Sequence, residues 1–379
     1  MKAGWEIKSL GEVIQLEYGK PLPPEDRNPN GMYPAYGANG EKDRTDKFYR
    51  DCPSIIVGRK GSAGEITLTE DRFWPLDVTY FVEFDSQRHD LQFLYYLLAT
   101  LDLPKLAKGV KPGINRNEVY ALPVAVPTRT EQRRIVTILD EAFEGIATAK
   151  ANAEKSLQNA RELFESYLDA TLTRHASGYM ESTLGTDVDL LAGYAFSSGS
   201  YSDEVSDIRL LRGDNIMQGY LRWDDAKRWP ASDRAAYSRF ELQAGDVVLA
   251  MDRPWVKAGL KRSQITSDDL PCLQVQRTAR LRPRHTLRDD FLFHLTGSQS
   301  FSRHLLEVQT GIGVPHISGK QIESFKFMRP PLNEQASIAG RLNELHEKTQ
   351  RLAEISQQKL AALDELKKSL LHQAFTGQL

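Results

Sequence analysis

Long hydrophobic runs are missing from this sequence, and so is an excess of charge of either sign. No stretch approaches 18 consecutive apolar residues, so no membrane-spanning helix is expected. The 379 residues carry 49 Lys+Arg against 51 Asp+Glu, a net charge of −2. Such a chain cannot hold nucleic acid by bulk charge. Cysteine is almost absent. Cys52 and Cys272 stand far apart with no partner spacing, which excludes a disulfide framework or a zinc finger and fits a reducing, cytoplasmic setting. No apolar run follows the charged start of the chain, so no signal peptide is expected. Catalytic signatures are equally scarce. A methyltransferase needs a glycine-rich cofactor loop and an Asn/Asp-Pro-Pro-aromatic segment; the nearest string, Asp252-Arg253-Pro254-Trp255, has Arg in second place and no such loop before it. Gly313 to Lys320 has one residue too many before Gly319-Lys320, and then Gln321 in place of Ser/Thr, so it is no phosphate-binding loop. His285, His294, His304 and His316 lack metal-ligand spacing, and His294 reads as a helix-face residue. No catalytic residue, cofactor site or metal site is expected in this chain.

What the sequence does contain is a copy of itself. Glu131-Gln132 and Glu334-Gln335 each follow a proline-marked junction, and beyond them Ile135 matches Ile338, Leu139 matches Leu342, Leu157 matches Leu360, Leu163 matches Leu366 and Leu168 matches Leu371, all at an offset of 203. Upstream, Gly113-Ile114-Asn115-Arg116 aligns with His316-Ile317-Ser318-Gly319 at the same offset, while Leu10-Gly11 echoes Leu184-Gly185 at an offset of 174. A repeat at a fixed offset is one supersecondary unit used twice.

Each copy reads as a globular segment followed by a long helix. Short β-like runs such as Ser54–Val57, Val78–Val82, Leu122–Val126 and Asp246–Leu249 sit among turn signals. Asp90 to Leu101 and Asp289 to Leu306 read as helices. From Glu131 to Leu172 there is no proline, and apolar or small residues recur at 135, 139, 142, 146, 149, 153, 157, 160, 164 and 168. That is a helix-pairing stripe. Glu334 to Phe375 repeats it with Ile338, Leu342, Leu345, Leu352, Leu360, Leu363, Leu366 and Leu370. Some 40 residues make a helix of about 60 Å. The expected fold is α+β: two mixed globular segments and two long antiparallel coiled-coil helices, related by a pseudo-two-fold internal repeat.

Four stretches give this pattern a resemblance. They are Trp5-Glu6-Ile7-Lys8-Ser9-Leu10-Gly11-Glu12, Leu122-Pro123-Val124-Ala125-Val126-Pro127 with Glu131-Gln132, Phe327-Met328-Arg329-Pro330-Pro331 with Glu334-Gln335, and Ser369-Leu370-Leu371-His372-Gln373-Ala374-Phe375-Thr376-Gly377. In order and duplication they resemble the DNA specificity (S) subunit of type I restriction-modification systems, over essentially the whole chain. The resemblance implies target recognition domains at residues 1–127 and 178–331, with spacer helices at 128–177 and 332–379. Each recognition domain would read one half of a bipartite site in double-stranded DNA. Two methyltransferase (M) subunits would dock on the helices and carry S-adenosylmethionine. Restriction (R) subunits would carry ATP and magnesium. This chain would be a non-catalytic, cytoplasmic subunit without a membrane partner.

DNA readers place Lys and Arg on phosphates and Arg, Lys, Asn or Gln on base edges, and glycine permits close approach of the backbone. Loops that combine these features give the candidates Tyr33, Tyr36, Asn39, Arg59, Lys60, Lys111, Asn115 and Arg116 in the first half. The second half offers Arg212, Asn215, Arg253, Trp255, Lys257, Lys261, Arg262, His316 and Lys320. Among the loops, 109–117 and 311–320 stand out because the same glycine-rich polar segment precedes each long helix. Neither globular segment is basic overall: residues 1–127 carry 16 basic and 18 acidic side chains, and 178–331 carry 20 and 19. Binding would therefore rest on local clusters such as Arg277, Arg280, Arg282, Arg284 and Arg288, or on basic faces of partner subunits. Two alternatives stay open from the residues alone: a two-headed coiled-coil scaffold with no DNA role, and the DNA-recognition subunit of a related phage-defence system.

Overall fold

The short apolar runs read in the sequence, such as Ser54–Val57 and Val247–Leu249, fall on strands. The computed structural model describes residues 4–69, 72–174, 176–256, 259–309 and 315–379. The chain divides into two units, Met1–Glu154 with Gln357–Leu379, and Lys155–Ser356. Unit one contains β1 (Glu6–Ser9), β2 (Ile14–Tyr18), β3 (Tyr33–Gly37), β4 (Gly40–Thr45), β5 (Ser54–Gly58), β6 (Ile66–Thr69), β7 (Trp74–Pro75), β8 (Thr79–Phe84), helices α1 (Leu91–Thr100) and α2 (Arg116–Tyr120), β9 (Pro123–Val126), and the start of the long α3 (Arg129–Leu172). Its main sheet runs β2-β8-β5-β6, and a smaller one runs β4-β3-β7. The apolar side of the main sheet, through Ile55, Val57 and Val82, is covered by Phe93, Leu94 and Leu97 of α1. Burial of each such side chain contributes about 1.5–3 kcal/mol.

Unit two contains β10 (Met180–Thr183), α4 (Leu184–Asp187), β11 (Val188–Ala192), β12 (Ile208–Leu211), β13 (Arg228–Trp229), β14 (Val247–Ala250), β15 (Trp255–Val256), β16 (Gly259–Leu260), β17 (Arg262–Gln264), β18 (Cys272–Gln274) and β19 (Thr278–Pro283). After these come α5 (Asp289–Leu295), α6 (Gln299–Val308), α7 (Gly319–Glu323), β20 (Lys326–Arg329) and the start of the long α8 (Leu332–Phe375). Its sheets repeat the plan of unit one: β11-β19-β14-β17 stands for β2-β8-β5-β6, and β13-β12-β18 for β4-β3-β7. Even the strand polarity agrees, because β3–β7 and β12–β18 are the parallel pairs. Gly19 and Gly193, 174 residues apart, explain one shared glycine. A Cβ on either would stand 2.1 or 2.2 Å from a backbone oxygen, of Leu76 or of Val275, so only glycine fits this close approach.

The Glu-Gln junction has a structural reason. Gln132 and Gln335 are both fully buried. The side-chain oxygen of Gln132 accepts from the Asp90 amide at 2.9 Å, and its nitrogen donates to the Pro127 and Arg88 carbonyls at 2.9 and 3.2 Å. Gln335 does the same with the Arg288 amide at 2.9 Å and the Pro330 and Thr286 carbonyls at 2.8 and 3.1 Å. Asp90 and Arg288 are the N-caps of α1 and α5. Each glutamine thus ties the head's own helix to the first turn of a long one.

Both long helices run 44 residues. Within unit one they pair antiparallel: Arg134 donates to the Leu379 carbonyl at 2.7 Å, and further along Lys150 pairs with Asp364. Within unit two, Phe164 meets His346, and Leu168 shares a core with Ile338 and Leu342. Every stripe position of α3 is buried or half-buried. On α8 the expected stripe fails at Leu352 and Leu366, which are exposed, and Ser356 is buried instead. The single helix expected from Asp289 to Leu306 is two. Gly297 breaks it, and the Ser298 hydroxyl caps the second piece by accepting from the Phe301 amide at 3.1 Å. No helix among the described residues is long and apolar enough to cross a membrane.

His294 of α5 lies on a helix but points inward, with Nε2 donating to Oδ1 of Asn343 at 2.6 Å. Burial, only partly offset by that bond, lowers its pKa from 6.5 to about 4. His346 shifts the same way, also by burial. The folded state resists a proton that the unfolded chain takes up near pH 6.5, so stability is intact above that pH and is lost as pH falls toward 4. Unit two is expected to lose about 2 kcal/mol between pH 7 and pH 5, read by urea titration, and His294→Gln should flatten most of that dependence. Equal midpoints at both pH values would contradict it.

Candidate nucleic-acid interface

In unit one, three loops meet beyond the ends of β3 and β5. The β3–β4 turn is made at Ala38-Asn39, with Gly40 at φ +102°. Gly58 closes β5 directly against it, since a Cβ there would stand 2.6 Å from the Ala38 carbonyl oxygen. The chain then turns through Gly61 (φ +83°) and is bonded to the third loop: the Ile114 amide donates to the Arg59 carbonyl at 3.1 Å, and the Gly61 amide to the Pro112 carbonyl at 2.9 Å. These backbone bonds bring Asn39, Arg59, Lys60, Lys111, Asn115 and Arg116 to one edge. Asn39, Lys60 and Lys111 are exposed. Asn115 caps α2, accepting from the Asn117 amide at 2.9 Å. Tyr33 and Tyr36 are used in packing, edge-on to Phe48 at 5.3 Å and to Phe73 at 6.0 Å.

Sequence reasoning missed Tyr18. It ends β2 and is 45% exposed, and the guanidiniums of Arg59 and Arg116 lie 5.2 and 5.1 Å from its ring centroid. Tyr80 packs on the same ring at 5.1 Å. Burial raises the Tyr80 pKa, with Tyr18 adding to the rise and the two arginines opposing it. The missed signal is slight: an aromatic that ends an alternating strand in register with the buried Ile14 and Leu16. Val110, at the tip of the third loop, is fully exposed.

Unit two carries the same frame with other side chains. The Arg253 amide donates to the Pro315 carbonyl at 3.0 Å, as Gly61 does to Pro112. The bridge Asp252↔His316 repeats Lys60↔Gly113. Arg253 therefore stands where unit one has Gly61, and it keeps the left-handed conformation at φ +45°, which costs a non-glycine residue roughly 1 kcal/mol. Asp252 replaces Lys60 and is engaged by Arg277 at 2.8 Å and by His316 Nδ1 at 2.5 Å. Arg253 and Lys320 are exposed, and His316 is half-exposed. Arg212 is half-exposed too, 3.4 Å from Asp214.

Four of the second-half candidates turn inward. Asn215 is only 7% exposed, accepting from the Arg212 amide at 2.9 Å and donating to the Arg222 carbonyl at 3.0 Å, so it shapes its loop. The Trp255 indole donates to Gln309 at 2.9 Å. Lys261 is buried, and burial pushes its ammonium below the usual lysine range. Arg262 lies 4.3 Å from the Phe293 ring centroid and donates to the Phe293 carbonyl at 2.8 Å; burial pushes its pKa down to about 10. Lys257 lies outside the described residues, as do residues 311–314 of the second glycine-rich loop.

The arginine cluster read as a local basic patch is also engaged internally. Arg282 grips the buried Asp246 with two 2.7 Å bonds, Arg280 pairs with Asp189, Arg288 with Asp290 at 2.7 Å, and Arg284 donates to the Val188 carbonyl at 3.1 Å. With Arg277 on Asp252, four of the five hold a carboxylate of their own chain. Among the described residues no group of three or more His, Cys, Asp and Glu is placed to hold a metal.

Comparison with known proteins agrees with this architecture. The family model described as the type I restriction modification DNA specificity domain matches residues 2–158 and 236–361. The type I restriction enzyme MjaVIII specificity subunit of Methanocaldococcus jannaschii is 23% identical, over 99% of this chain and 93% of the relative. The EcoDI specificity subunit of Escherichia coli is 21% identical, over 99% and 88%. Among solved structures, a chain described under complex assembly and conformational transition of the type I R-M system superposes with a TM-score of 0.78 at 17% identity, covering 100% of this chain and 99% of its own. The HsdS subunit from Thermoanaerobacter tengcongensis does so with a TM-score of 0.59 at 18% identity, covering 100% and 98%.

Proposed function

The chain belongs to the type I restriction modification DNA specificity family, and from that membership we propose that it is the subunit through which such a complex reads a bipartite site in double-stranded DNA. One observation carries the reading. The two heads share a backbone frame at their loop edges, Lys60↔Gly113 and Asp252↔His316, yet present different chemistry on it. A frame used twice with different side chains suits two half-sites of different sequence. In this reading the heads at 1–127 and 178–331 each read one half, and the helical segments 128–177 and 332–379 set the unread spacer.

Two methyltransferase subunits dock on the long helices. Leu163 of α3 and Leu366 of α8, matched at the offset of 203, are both exposed at 62% and 46%, so the repeat presents one apolar foothold twice. The methyltransferase subunits bring S-adenosylmethionine, and restriction subunits bring ATP and magnesium. This chain contributes no catalytic group and acts in the cytoplasm. A near-neutral net charge is compatible with the role, because specificity rests on base contacts while the partners supply much of the phosphate attraction.

Exchange of residues 1–127 for the first head of another specificity protein tests the reading by methylome sequencing. One half-site should change while the other half and the spacer stay constant. Removing seven matched residues from each long helix, about 10 Å of rise, should alter only the spacer. An unchanged methylation pattern after head exchange would instead favour a scaffold with no DNA role.

A further inference from the structure

Several arginines of unit one have carboxylate partners: Arg44 pairs with Glu41 at 2.8 Å and Arg50 with Glu83 at 2.9 Å. Arg59 and Arg116 are exceptions. Among the described residues neither has a carboxylate within ion-pair distance, and their recorded side-chain contacts are the Tyr18 ring and, for Arg116, a long 3.4 Å bond to the Leu16 carbonyl. Arg59 Nε is buried with no hydrogen-bond partner. Two cations therefore share one half-exposed aromatic ring with no acid to balance them, on the edge where Lys60 and Lys111 are also exposed. Attraction to the ring face helps to hold each guanidinium there, but it does not neutralise the pair.

We propose that Arg59 and Arg116, gathered on Tyr18, clamp a single backbone phosphate of DNA and so set the register of the first head. The proposal rests on the DNA-reading function above and assigns this cluster to positioning. A phosphate suits it better than a base edge. Two guanidiniums gathered on one ring match a full negative charge and the several acceptor oxygens of one phosphate, whereas the N7 and O6 of guanine are satisfied by one arginine fork. Tyr18 acts as the platform that fixes both forks before DNA arrives.

The test uses the full chain assembled with methyltransferase subunits, titrated with a duplex carrying its own site and with a scrambled duplex, from 50 to 200 mM salt. The double variant Arg59→Gln/Arg116→Gln is expected to flatten the slope of log K against log salt by about 0.9, the value for one phosphate. Across that range the unaltered complex should then lose about 3.5-fold more affinity than the variant, equally on both duplexes. An unchanged slope, a flattening near 1.8 as for two phosphates, or relaxed preference at one base pair would each overturn the clamp. The charge-preserving pair Arg59→Lys/Arg116→Lys guards against misfolding of the Gln variant: it should keep the slope and weaken both duplexes alike, and relaxation at one base pair would again overturn it. If the unaltered complex does not distinguish the two duplexes, the DNA-reading function itself fails. If it does and the variant slope is unchanged, only the clamp fails.

Discussion

Asp187→Val is expected to lower the unfolding free energy of unit two by about 3–5 kcal/mol, the range for removing one partner of a buried ion pair. Asp187 is fully buried at the end of α4 and accepts from the hydroxyls of Ser182 and Thr286, both at 2.6 Å, and from Arg329 of β20. Arg329 is itself largely buried, at 14% side-chain exposure. Without the carboxylate its charge has nowhere to go, and this uncompensated charge is the main part of the loss. The internal repeat supplies the control. At an offset of 174 the counterpart of Asp187 is Val13, and at 203 the counterpart of Arg329 is Val126; both valines are buried in the core of unit one. The same junction is thus built once with an ion pair and once with two aliphatic side chains. The double variant Asp187→Val/Arg329→Val should accordingly return to within about 1 kcal/mol of the parent or exceed it, since replacing a buried pair by apolar residues is often neutral or stabilising. Urea titrations of the parent, both single variants and the double decide it. A double variant as unstable as Asp187→Val alone would show that the hydroxyl network, and not the orphaned charge, sets the loss.

This contrast shows why some features were legible in the sequence and others were not. The repeat was, because matched apolar residues keep a constant offset along helices whose period is fixed. So was the edge formed by Asn39, Arg59, Lys60 and Lys111, where glycines mark the turns. Tyr18 was not legible, because its importance lies in Arg59 and Arg116, which follow it by 41 and 98 positions and reach it only through the folded sheet. The arginine cluster from 277 to 288 was misleading for the converse reason. Its five arginines crowd into twelve residues of sequence, but Asp189, Asp246 and Asp252, which engage three of them, come from other segments. Asn215 and Lys261 have surface-type side chains, and only the tertiary fold shows them buried. The exposed Leu352 and Leu366 depart from the stripe because burial on a helix depends on what lies opposite, and periodicity alone does not supply that.

Gln132→Leu and Gln335→Leu should each destabilise one unit by about 3–5 kcal/mol, and each should spare the other unit. The side chain fits its site through both ends of its amide. Leucine nearly matches the volume but leaves the Asp90 amide and the Pro127 and Arg88 carbonyls without the bonds that Gln132 gives them. Buried backbone groups left unpaired cost roughly 1–3 kcal/mol each, and relaxation or entering water recovers part of the sum. Set against a total stability of about 5–15 kcal/mol, the loss is large. Gln132→Glu separates the acceptor role from the donor role. Its carboxylate can still accept from the Asp90 amide but offers nothing to two carbonyl oxygens, and a buried anion facing them is repelled. A carboxyl so placed has its folded pKa raised, so the deficit should be fully present at neutral pH and should shrink as pH falls toward the ordinary glutamate value of about 4.3. Hydrogen exchange locates the effect: the first amides of α1 should lose protection in the Gln132 variants and those of α5 in the Gln335 variants. If either variant loosened both helices equally, the two locks would not be independent, and the view of each head as fastened to its own long helix would have to be abandoned.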